Sequence, residues 1–115
     1  MPKPFANPAR GEVALSLGAH DFVLRPTFEA LMRIEEEVGS LFALIERTSD
    51  TQVRLGDIVS VIWACAVAGG ADLDRQAMGR LIVKEGVAKA TPAFRAVLLM
   101  AVSYTHLRAH ETLLD

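Results

Sequence analysis

The chain has 115 residues, 12 Lys and Arg against 14 Asp and Glu, and a formal net charge of −2, which is one domain's worth of sequence. Near-neutral charge without a basic cluster excludes a phosphate-neutralising surface for nucleic acid, and a single cysteine excludes an internal disulfide. The hydrophobic fraction, 51%, is high for a small domain, yet the longest nearly unbroken apolar stretch, residues 58–68, is far shorter than the ~20 residues of a membrane-spanning helix. Residues 1–10 hold Pro2, Pro4 and Pro8, which favour an extended arm; they include no apolar run of signal-peptide type, so a cytoplasmic protein without a membrane partner is expected. In residues 12–17, Val13, Leu15 and Leu17 alternate with Glu12, Ala14 and Ser16, the pattern of a half-buried strand. Gly18, Ala19, His20 and Asp21 supply a turn, and residues 22–25 read as the returning strand, stopped by Pro26. A lone hairpin is marginal in water, so later elements must cover its apolar face.

The rest reads as helical. Thr27 is a plausible N-cap, and Phe28, Leu31, Met32, Ile34 and Val38 form one broad apolar face that ends at Gly39. Ser40 caps a second helix carrying Leu41, Phe42, Leu44 and Ile45. Residues 51–55 alternate and admit a short third strand. Residues 57–68 are apolar on nearly every side, Trp63 included, as expected of a central buried helix that Gly69 and Gly70 terminate. Asp72 is expected to cap a fourth helix, and Thr91-Pro92 to open a fifth. The predicted architecture is α+β: an N-terminal β-hairpin packed on four or five mostly short helices. Residues 1–10 form its arm and residues 11–101 its single domain.

Residues 102–115 read differently. The string VSYTHLRAHET at 102–112 holds the one tyrosine and two of the three histidines, and it matches one reading frame of a transposase-type sequencing adapter. His106 and His110 share a helical face at metal-ligand spacing, but Leu107 stands where a zinc protease motif needs glutamate. The tail is taken as non-native and the pair is set aside as a site.

No other group suggests chemistry. Cys65 lies in the apolar run with no cation or base on its helix, so it reads as a buried inert thiol and not a nucleophile. His20 reads as a polar turn residue. Glu35, Glu36 and Glu37 point about 100° apart on a helix and cannot converge on one cation, which leaves a solvated face. Gly69-Gly70-Ala71-Asp72 matches no phosphate-binding loop. The expectation is a protein without catalytic residues, metal or cofactor. In residues 92–101, Val97, Leu98, Leu99 and Met100 place four apolar side chains in succession. They are the candidate partner-binding residues, unless they merely finish the core.

A linear pattern carries a resemblance. Asn7-Pro8, Arg10-Gly11-Glu12-Val13, Leu15 and Leu17 lead through Gly18 to Phe22, Leu24-Arg25-Pro26-Thr27-Phe28, Ala30-Leu31, Ile34 and Glu35. This resembles the gene transfer agent and phage tail-assembly family, small proteins sometimes labelled tail tube proteins and better regarded as tail assembly chaperones. The resemblance is dense over the first third and looser over residues 40–90. It implies a non-enzymatic role in tail morphogenesis, holding the tape-measure protein soluble, with no catalytic residues to carry over. The alternatives are a structural tail subunit, which a mostly helical chain opposes because tube subunits are built on β-sheets, and an unrelated helical interaction domain. The resemblance implies a tape-measure or other tail protein as partner; a homo-oligomer stays open.

Overall fold

The computed structural model describes residues 6–7, 11–49 and 52–114, with residues 49 and 102–114 described by their backbone alone. Strands β1 (Val13–Leu17) and β2 (His20–Leu24) form an antiparallel hairpin in which Leu17 faces His20, Leu15 faces Phe22 and Val13 faces Leu24. The turn is therefore two residues, Gly18 and Ala19, and His20 opens the second strand instead of completing the turn. From Ala14 the alternation is as the sequence implies, with Leu15, Leu17 and Leu24 buried and Ala14 and Ser16 facing water. It fails at the start, where Glu12 is buried against Arg25 and Val13 is only half-buried.

Among the described residues five helices follow: α1 (Phe28–Val38), α2 (Leu41–Ser49), α3 (Leu55–Ala68), α4 (Arg75–Glu85) and α5 (Val87–Leu114). The α+β architecture is as expected. Thr27 caps α1, its hydroxyl accepting from the Ala30 amide at 3.1 Å, and Gly39 ends it at φ +88°, a conformation that costs glycine little. Ser40 caps α2 through the Ala43 amide.

α3 is the axis of the fold. Ile58, Val59, Val61, Ile62, Ala64, Cys65 and Ala66 are all buried, because α1, α4, α5 and β2 each pack against a different side of it. The inner face of β1 rests on α5. Two main-chain features fix β2 to the end of α3. The Arg25 amide donates to the Cys65 carbonyl at 2.9 Å, and Gly69 lies so close to Val23 that a Cβ there would collide with the Val23 carbonyl. That close approach, and not an unusual φ, is what requires glycine at 69.

Four local expectations are corrected. Residues 52–54 form no strand, and Thr51 lies outside the described residues. The Arg54 amide instead donates to Asp57 Oδ2 at 3.1 Å, which starts α3 at Leu55. The cap of α4 is Asp74, accepting from the Ala77 amide at 2.7 Å, and not Asp72. α5 begins at Val87, ahead of Thr91-Pro92. A proline inside a helix deprives the carbonyl four residues back of its donor. Here that carbonyl belongs to Ala88, and Ala88 and Pro92 both stand on the solvent side, where water can replace the lost bond. Finally, α1 does not bury its whole apolar face: Ala30 and Ile34 point inward, while Phe28 and Met32 remain exposed. Of the proline-rich arm, the described part is tied back: the Asn7 amide donates to Glu12 Oε1 at 2.8 Å, and the Glu12 amide to the Asn7 carbonyl at 3.1 Å.

Candidate partner-binding surface

The four candidate residues divide between core and surface. Val97 and Leu98 are buried with Ala93 and Phe94 on the inner face of α5, so they finish the core. Leu99 stands on the opposite side, 67% exposed, and Met100 is half-buried with its sulfur beside Gly11. Four consecutive residues of a helix span a full turn, so they cannot all face one partner.

Other large apolar side chains are also left in water: Phe28, Met32, Phe42, Leu55 and Val83. The sequence places Phe28, Met32 and Phe42 in helices and Leu55 at the end of a possible strand, but no periodicity separates them from core residues of the same type. Leu55 and Val83 flank a shallow groove of about 520 Å³ along the outer face of α4, with Gly79 between them and Arg80 and Lys84 on its rim. The same two cations border a second groove of about 630 Å³, lined by His20, Phe22, Leu73 and Leu81 between β2 and α4.

The polar groups near these surfaces hold the fold. Glu37 of α1 pairs with Arg75 of α4 at 3.0 Å and accepts from Ser60 Oγ of α3, also at 3.0 Å; Arg75 Nε donates to Ser60 Oγ at 2.9 Å. Glu35 Oε2 accepts from the Leu41 amide at 3.1 Å and so completes the start of α2. The glutamate run is thus not merely solvated, since only Glu36 has no such role. Arg47 reaches Asp57 at 3.3 Å, and Arg25 pairs with the buried Glu12 at 3.1 Å. Among the described residues, no buried side-chain nitrogen or oxygen lacks a partner, and no three His, Cys, Asp or Glu side chains cluster as metal ligands would.

Cys65 is fully buried in α3, and desolvation pushes its thiol up to about 12 from 9.0. A thiol held neutral in this way is a poor nucleophile. His20 is exposed at the hairpin end and stacks on Phe22, with ring centres 6.3 Å apart. Trp63 is half-buried and not central: its indole donates to the Leu73 carbonyl at 2.9 Å, and the Arg33 guanidinium lies over its ring. No helix among the described residues is long and apolar enough to cross a membrane.

What these surfaces serve is narrowed by comparison with known families. Residues 10–103 match the family model described as phage tail tube protein, GTA-gp10. The chain belongs to this family. The match takes in every element from β1 to the inner face of α5, and it agrees with the family resemblance carried by the Asn7–Glu35 pattern. No curated protein and no solved structure matches the chain. A GTA-gp10 family member is a phage or gene transfer agent tail protein, and that makes surfaces for other tail components the relevant chemistry.

Proposed function

We propose that the protein is a non-enzymatic tail assembly chaperone acting in the cytoplasm, and that it binds a helical segment of the tape-measure protein during tail morphogenesis. The observation that carries this reading is the set of large apolar side chains left in water on helix outer faces: Phe28, Met32, Phe42, Leu55, Val83 and Leu99. A long helical partner presents apolar anchors at i, i+3, i+4 and i+7, which exposed apolar helix faces accept. Leu99, with Met100 at its edge, is the anchor assigned to that partner. Met adapts to irregular partner surfaces. Because the contact is apolar, salt should weaken it little.

Co-expression of the full chain with a fragment of the neighbouring tape-measure gene tests the proposal. The fragment should stay soluble and co-elute in high salt, and Leu99→Asp should abolish co-elution while leaving the protein folded. Precipitation of the fragment with and without the protein alike overturns it. The family's description favours a second reading, that of a structural tube subunit. That reading takes over if the fragment is not protected while the protein alone builds tubes of uniform bore.

A further inference from the structure

Two faces of this molecule, on different helices, are complementary to each other. On α1, Phe28 and Met32 lie one turn apart and are 71% and 44% exposed. Glu29 precedes Met32 by three residues and Glu36 follows it by four, so all four side chains share one stripe. Both glutamates are exposed, and neither is in an ion pair with a described residue. The stripe is apolar and acidic.

The outer face of α4 is its counterpart. Leu55 and Val83, 46% and 56% exposed, flank the groove, which Gly79 also lines. Arg80 and Lys84 stand one turn apart on its rim, both exposed and neither paired with a described carboxylate, although the chain as a whole is net negative. The groove is apolar and basic.

The two helices flank α3 and are tied to each other through Glu37, Ser60 and Arg75. We infer that the α1 stripe of one copy docks in the α4 groove of a second copy, Phe28 and Met32 against Leu55 and Val83, Glu29 and Glu36 against Arg80 and Lys84. Such a contact joins two unlike faces. Each added copy still offers one free stripe and one free groove, so growth continues as a string unless it closes into a ring. This goes beyond the proposed function and is compatible with either tail role, since copies can line up along a rod-like partner or form a ring. It draws on four of the exposed apolar residues that support the proposed function but spares Leu99 and Met100, the anchor assigned to the tape-measure contact, so Leu99→Asp tests that contact and the α1 and α4 variants test this one.

Sedimentation velocity of the full chain in low salt, over a series from low micromolar to near-millimolar protein, tests the contact. The wild type should grow past dimer with concentration, and raised salt should shift it back toward monomer, because exposed charges are screened beyond about 10 Å at 0.1 M. Phe28→Asp with Met32→Asp removes the stripe, and Arg80→Glu with Lys84→Glu reverses the groove; all four positions are exposed or rim residues, and far-ultraviolet circular dichroism should confirm folding. Each variant alone should remain monomeric. Mixed together, the first supplies a groove and the second a stripe, so the mixture should form dimers and stop there. A second pairing, Glu29→Lys with Glu36→Lys mixed with the groove variant, should grow past dimer, because the exchanged charges then supply a second contact beside the one made by the two unaltered faces. A wild type that stays monomeric throughout, variants that assemble as the wild type does, or mixtures that remain monomeric would each overturn the inference.

Discussion

Cys65 shows how burial alone sets a residue's chemistry. Its thiol is buried within the apolar core, so its ionised form is disfavoured in the folded state. Below pH 9 it is protonated whether the chain is folded or not, and it contributes nothing to pH dependence. Between 9 and about 12 only the unfolded chain releases the proton, so stability falls as pH rises and levels off above that range. Cys65→Ala should therefore lose less stability than the wild type from pH 9 to 11 in urea titrations. At pH 8, a thiol reagent should modify the native protein far more slowly than the denatured one. The neighbouring pair Leu98 and Leu99 makes the same point about position. Leu98→Asp buries a carboxylate among Ala93, Phe94 and Val97 and should cost more than ~3 kcal/mol, enough to unfold much of a small domain. Leu99→Asp, in water, should shift the melting free energy by no more than ~0.5 kcal/mol. Both measurements are thermal or urea melts. A sequence distinguishes these two leucines only when the phase of the helix is known, and α5 has apolar residues on too many sides to announce it.

At the scale of elements, what was legible is what local chemistry decides. Thr27, Gly39 and Ser40 bracket α1 and α2 because caps depend on a few adjacent residues. The hairpin is legible from the alternation of Val13, Leu15 and Leu17, and α3 from its continuous apolar run. The errors lie where a distant contact overrides a local signal. Asp72 and Asp74 are equally good caps in sequence, and only the second meets the first turn of α4. Thr91-Pro92 resembles a helix start, but a proline on the wet side of α5 is tolerated, so the helix runs through it. The outward turn of Phe28 and Met32, and with it the candidate surface, was illegible because nothing in α1 states which flank its neighbours leave uncovered. Gly69 is a case where sequence read the residue but not its reason: as a helix terminator it has substitutes, against the Val23 carbonyl it has none. Gly69→Ala should cost ~1–3 kcal/mol by forcing β2 away from α3, and a urea melt reads that loss.

For the whole molecule, the family match to residue 103 covers the described core and stops two residues into the adapter-like string. We propose that the string is non-native, and that long-read resequencing of the locus will replace codons 102–112 with unrelated sequence; the same codons in adapter-free reads would show them to be genuine. The arrangement of the core also bears on how the chain is made. β1, the first of the described elements in chain order, rests on α5, the last of them, while α3 between them is apolar on nearly every side and receives its later cover from α4 and α5. During translation the hairpin and α3 thus emerge long before the surface that shields them. Closure is held back until the ribosome has released Phe94, Val97 and Leu98, and folding is then concerted, joining residues some eighty positions apart. An apolar element whose cover arrives last stands bare in the interval, and that interval is where a growing chain is most open to mispairing.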